Sequence, residues 1–228
     1  MISLVEIVRQ VRVALFDQLA RYWTDQEIID GLNSGRVTLY AMKPRTYEVT
    51  EVVTLVAGYR QTLPNDSSYL FRPIENVTAS SKRGITIATL ELVTRGRPRW
   101  RTESQSNEIM HVMYVDSSPK EYEVYPPARE GTQIRISYAK MPAAIQLADI
   151  EASEPVLLAA ELEQADPLID WTVHRCLLKE SDSSPQAAAR SAQYLQLAIS
   201  KFTGESSGKA KSNPNTTPIG NAPPRVQQ

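Results

Sequence analysis

The chain has 228 residues, 42% of them apolar, a formal net charge of -1 and a single cysteine. This is enough for one large domain or two small ones with a packed core. The charge balance speaks against a dedicated nucleic-acid binder, the lone cysteine excludes an internal disulfide, and no apolar run approaches the roughly 18 to 20 residues that cross a bilayer.

The N-terminal stretch MISLVEIVRQVRVALFDQLA is interrupted by Glu6, Arg9, Arg12 and Asp17, so it reads as a structural helix and not as a signal peptide. Leu4, Val8, Val11, Leu15 and Leu19 recur at helical spacing and predict one buried stripe. Ser3 with Glu6 predicts a capping box at its start. Thr24 with Glu27 predicts a second box, opening a helix in TDQEIIDGLNSGR. Gly31 and Gly35 weaken that helix, which should end near Leu39, before Pro44.

Past Pro44 the period changes. TYEVTEVVTLVAG predicts a strand, QTLPNDSS a loop, and YLFRPIENVT a strand broken at Pro73. GITIATLELV fits strand and helix equally on periodicity. IMHVMYVD, EYEVYP and TQIRISYA predict three further strands. Tyr122 and Val124, then PPAREG, then Ile134, Ile136 and Tyr138 read as a β-hairpin whose turn spans Pro126 to Gly131. Connections this short favour antiparallel pairing.

The chain then returns to helices. Asp166-Pro167 and Ser184-Pro185 each provide a cap and first turn. The second opens a helix whose seam is predicted to be Ala188, Ala192, Leu195, Ile199 and Phe202, stopped by Gly204. Beyond it, ESSGKAKSNPNTTPIGNAPPRVQQ carries little to bury, and is either a floppy tail or an arm that orders against a partner. Ile219 and Val226 would anchor such an arm.

The expected architecture is therefore α+β: a helical bundle formed by the N- and C-terminal helices, an inserted, mostly antiparallel β lobe, and a flexible C-terminal arm. The divisions are 1–44, 45–145, 146–204 and 205–228.

Chemistry-bearing patterns are sparse. Two histidines and one cysteine make a metal site improbable, and no cofactor is expected because neither Gly-rich phosphate signature occurs. His174 and Cys176, two apart in a helix, point away from each other. Asp170 and His174, four apart, predict a helix-surface pair, with a cryptic hydrolase as the rival reading. His111 predicts a packing or edge residue. The one concentration of positive charge sets Arg95, Arg97, Arg99 and Arg101 around Trp100, which could grip DNA phosphates with a stacking ring. The alternatives there are a solvated loop or arginines that pair with a neighbouring subunit. Pro126, Pro127, Arg129 and Glu130 are the expected docking loop.

Taken in order, YWTDQEIIDGLNSGR, LVAGYRQTLP, ENV, RPRW, VDSSPKEYEVYPPAREG and YAKMP, followed by two helices around LLKESDSS, resemble the head-to-tail adaptors of tailed bacteriophages. These are also called connectors or head-completion neck proteins. The likeness runs from about Tyr22 to Gly204. It implies a structural, non-enzymatic subunit of a ring, dodecameric by this likeness, that joins the portal protein to a tail-tube or nozzle protein. It also implies passing contact with genomic DNA, no membrane partner, and a place in the virion neck after assembly in the host cytoplasm. The arm residues Ile219, Pro223, Arg225 and Val226 would then bind the portal. A tail-tube, nozzle or terminator subunit is the alternative virion role, and a DNA-binding regulator a more distant one.

Overall fold

The computed structural model describes residues 3–151, 164–182 and 184–204. Helix α1 (Leu4–Leu15) starts at Ser3, whose hydroxyl accepts from the Glu6 amide, though Glu6 turns its carboxylate to Arg9 and Gln10. The predicted stripe is buried as far as Leu15, but Leu19 is exposed. Phe16 ends the helix in the left-handed conformation (φ 60°), so Leu19 never joins that face. Helix α2 (Asp25–Met42) has the full Thr24–Glu27 capping box and runs one turn past Leu39.

Strands β1 (Glu48–Thr54), β3 (Ser67–Asn76) and β7 (Gln133–Lys140) form one sheet in the order β1-β7-β3. Strands β2 (Gly58–Thr62), β4 (Thr86–Ile87), β5 (His111–Tyr114) and β6 (Glu121–Ala128) form the other, in the order β2-β6-β5-β4. Among the described strands every ladder is antiparallel except that of β4 with β5. Strand β3 is not broken at Pro73: it runs through, with register slips on either side absorbing the missing donor. The ambiguous GITIATLELV divides into β4 and the short helix α3 (Leu90–Gly96), which Thr89 caps.

The predicted hairpin does not form. β6 pairs with β2 and β5, whereas β7 pairs with β1 and β3. Alternation fixes which face of a strand is apolar but not which neighbour it pairs with. Tyr122 and Val124 of β6 meet Ile134, Ile136 and Tyr138 of β7 face to face, in a core shared with Leu55, Leu70 and Val112. The segment between them is thus a corner joining two packed sheets.

The opposite face of β6 carries a further layer. Tyr125, with Met113 of β5, packs under Val93 of α3 and Trp100 of the following turn.

Helices α5 (Ala165–Leu178) and α6 (Pro185–Thr203) complete the helical core, with the short α4 (Ala148–Glu151) before them. Helix α5 begins at Ala165, which places Asp166 in its first turn and not at the cap. One apolar cluster joins α1, α2, α5 and α6 with Tyr47, Ala139 and Ile145. The seam of α6 is rotated from its predicted position: Ala187, Ser191, Ala198 and Phe202 are buried, while Ala192 and Ile199 are exposed. A polar residue, Ser191, lies on the buried side because it has a partner there, and counting apolar residues alone misplaces the face. Gly204 (φ 80°) caps the helix as predicted.

Candidate interaction surfaces

Asp170 and His174 neither lie on the surface nor meet. Both are buried; Asp170 takes the Lys201 ammonium at 2.6 Å, and His174 Nδ1 faces α6, 2.9 Å from the Ser191 hydroxyl and 3.0 Å from its carbonyl oxygen. A Ser–His contact is what a nucleophile needs, but Ser191 is only 2% exposed, so no substrate carbonyl can approach its oxygen. Burial, reinforced by Arg175, lowers the His174 pKa, and the bond to Ser191 only partly offsets this. Cys176 lies in the same core, its thiol pushed up to about 12 chiefly by burial. His111 stacks on Tyr125 and shares a 2.7 Å hydrogen bond with Thr86. Among the described residues no group of His, Cys, Asp or Glu is placed to hold a metal ion.

The arginine-rich stretch divides in two. Trp100 is wholly buried, edge-on to Tyr59 and Tyr125, and its indole N–H donates to Thr94. Its ring is therefore not available to stack on a base, which corrects that part of the sequence reading. The apolar surroundings that claim it combine the neighbouring Val93 with Met113 of β5, Tyr125 of β6 and Tyr59. Arg101 lies 4.5 Å over the Trp100 ring and bonds Glu123 at 3.2 Å, while Arg97 reaches Glu103 at 3.5 Å. Arg95 and Arg99 stay exposed.

Of the expected docking loop, Pro126 and Pro127 belong to β6, and the Pro127 carbonyl accepts from the Ser106 amide at 2.8 Å. Only Arg129, Glu130 and Gly131 project into solvent, with Gly131 at φ 76°. The tip is three residues, not six. The arm anchors Ile219, Pro223, Arg225 and Val226 lie outside the described residues.

A surface that periodicity missed lies between α1 and α2. Phe16, Leu19 and Tyr22 are 83%, 72% and 70% exposed, yet the loop that carries them is tightly built. The Asp17 carboxylate accepts from the backbone amides of Arg21, Tyr22 and Trp23 at 2.7, 3.1 and 3.0 Å. Burial opposes the charge of Asp17, but these three donors and Arg12 outweigh it and hold its pKa below the usual carboxylate range. Buried Arg12 backs the loop, donating to the Trp23 carbonyl at 3.1 Å and pairing with Asp25. On the far side, Arg190 of α6 donates to the Ala14 carbonyl and lies 5.4 Å over the Phe16 ring.

Two open depressions lie on the β lobe. One, of ≈ 470 Å³, is polar and runs between the edges of β1 and β2, past Glu51, Thr62, Asp66, Tyr122 and Lys140. Glu51 there accepts from the Tyr138 hydroxyl at 2.6 Å and from Lys140 at 2.9 Å, and both lower its pKa. The other, of ≈ 250 Å³, is largely apolar and lies between α3 and the β5–β6 face.

Three amides in the quoted motifs also proved structural. Asn33, Gln61 and Asn76 each bond both an N–H and a C=O of a distant or turning backbone segment. An amide carries one acceptor and one donor group, so a single side chain can satisfy both halves of an unpaired backbone unit. Asn33 lies within α2 and Gln61 within β2, so no local pattern in the sequence marks these roles.

A family model described as SU10 adaptor protein matches residues 2–218. No curated protein matches the chain.

Proposed function

The chain belongs to the SU10 adaptor protein family, and from that premise we propose that it is the ring-forming subunit joining portal to tail in a phage neck. A phage adaptor is a structural component of the virion. The finer reading is a closed, dodecameric ring docked under the portal, with a tail-tube or nozzle protein on its other side and genomic DNA passing through the bore.

The observation that carries this reading is the extent of the family match, which spans both helical ends and the whole β lobe. The chemistry of the surfaces agrees with it. Ring closure joins two different patches of each subunit heterologously, and this chain presents apolar features on both its helical and its β portions. A net charge of -1 suits a channel along which DNA slides without being held. The arm beyond Gly204 has 24 residues, a reach of about 80 Å if extended at roughly 3.3 Å per residue. Its anchors Ile219, Pro223, Arg225 and Val226 would lie on the portal. The tip at Arg129 and Glu130 would face the next ring, and Arg95 and Arg99 would face DNA or a neighbouring copy.

Electron microscopy of the purified chain mixed with portal rings tests the reading. A second ring stacked on the portal is expected, and its loss after truncation at Gly204 would assign docking to the arm. A chain that stays monomeric beside portal and tail components would overturn the proposal.

A further inference from the structure

The loop carrying Phe16 combines backbone strain with an exposed aromatic ring. Phe16 at φ 60° and Ala20 at φ 52° are two of the three described non-glycine residues with positive φ. A bulky side chain in that region is disfavoured by about 1–2 kcal/mol, and glycine is the usual residue at such a helix end. Phe16 accepts the strain and buries little in return: its ring is 83% exposed, touched on one side by the Arg190 guanidinium. Strain of this kind persists where surrounding structure enforces it, and it marks functional positions. The enforcement comes from the Phe16 and Asp17 amides, which donate to the Val13 and Arg12 carbonyls at the helix end, while the Asp17 carboxylate fixes the rest of the loop through Arg21, Tyr22 and Trp23. Phe16, Leu19 and Tyr22 thus project as a knob from one short loop with a hydrogen-bonded backbone, and exposed apolar projections of this kind mark interaction sites.

The concave counterpart lies on the β lobe. The ≈ 250 Å³ depression is walled by Ala88, Leu92, Val93 and Met110, with His111 and Tyr125 beside them and Arg97 at one side. It is smaller than the roughly 300–1,000 Å³ of small-molecule sites, so it suits a side chain better than a metabolite. Leu92 in its wall is also open to solvent, as are Ile87 and Leu90 nearby in the chain. Its chemistry also complements the knob. Arg97 in the wall, which also reaches Glu103, has a guanidinium group that can lie against an aromatic ring, and exposed Glu91 offers a partner to exposed Arg21.

We propose that the Phe16–Leu19–Tyr22 knob of one copy seats in the α3–β5–β6 groove of the next copy, forming the heterologous contact that closes the ring. The knob is on the helical portion and the groove on the outer layer of the β lobe. Each copy therefore offers one and accepts one, as a head-to-tail ring requires. This inference rests on the ring reading above and names the surfaces that reading leaves open.

Disulfide trapping between full-length copies tests it. An affinity-tagged Arg21→Cys chain is mixed with an untagged Glu91→Cys chain, alone and on portal rings, then oxidised. Both positions are exposed and lie beside the knob and the groove without forming either, and the native Cys176 is buried in the helical core, so it stays silent. The control pairs Arg21→Cys with Thr50→Cys, which is exposed on the edge strand β1. The expected result is a mixed dimer from the first pair, at least tenfold more abundant than from the control. Equal yields from the two pairs, with rings still visible by electron microscopy, would overturn the contact and leave the ring reading standing. Equal yields with no ring even on portal would overturn both.

Discussion

Asn76 Oδ1 accepts from the Ile109 amide at 2.7 Å while its Nδ2 donates to the Ile109 carbonyl at 2.8 Å. One wholly buried side chain at the end of β3 thus pins the first sheet to the segment entering β5 of the second. Nδ2 also reaches the Arg83 carbonyl at 2.9 Å. Asn76→Leu keeps similar bulk but strands the Ile109 N–H and C=O, each at a cost of about 1–3 kcal/mol. Chemical denaturation should show a lower midpoint for this variant, and an unchanged midpoint would refute the pinning role.

Gly31 and Gly35 of α2 do more than weaken a helix. A Cβ at Gly35 would lie 2.9 Å from Cδ1 of Trp171 and 3.1 Å from Leu168, and one at Gly31 would lie 3.1 Å from Thr172. The pair, one turn apart, lets α2 approach α5 closely. Gly35→Ala gains helix propensity on paper but must push the ring aside, so a net loss of about 1–3 kcal/mol is expected. A thermal melt that rises instead would show that the interface can give way.

His174 makes stability depend on pH in one direction. Its pKa in the folded protein is lowered, first by burial and then by Arg175, so below about pH 6.5 the unfolded chain binds the proton more readily. Stability is therefore full above that pH and falls as pH drops through the folded-state pKa. His111 shifts the same way, through burial and Arg83. The imidazole proton resonances of both residues should titrate below the free-histidine value, and His174→Gln should flatten the acid limb of the melting profile.

The tryptophan and arginines of RPRWR should separate cleanly. Trp100→Ala empties the centre of the outer layer and should cost about 3–5 kcal/mol. Arg99→Ala and Arg95→Ala, at exposed positions, should stay within about 0.5 kcal/mol of the parent. If either arginine meets DNA or a neighbour, its substitution should change particle assembly or genome retention while leaving the melt alone.

Phe16→Gly sets stability against association. Glycine removes the left-handed strain, so the isolated chain should gain about 1 kcal/mol, yet the knob is lost and ring formation should weaken. A variant that is more stable and assembles equally well would show that Phe16 has no partner.

Much of the architecture was legible in the residues themselves. Ser3, Thr24 and Ser184 cap helices through bonds that span three residues, and Gly204 ends a helix through its own backbone freedom. Alternation in β6 and β7 marked Tyr122, Val124, Ile134, Ile136 and Tyr138 as inward-facing, and all five are buried between the sheets. These are local properties, set within a turn or a pleat. What alternation leaves open is which strand lies beside which, because a strand's two edges carry the same backbone groups whatever its side chains. Only the tertiary structure separated β6 from β7, took Trp100 out of solvent, turned α6 onto its Ser191 face, and left Phe16 outside every core. Each of those outcomes depends on partners from other elements of the fold, and the free energy of burial is decided by the neighbours that the fold supplies.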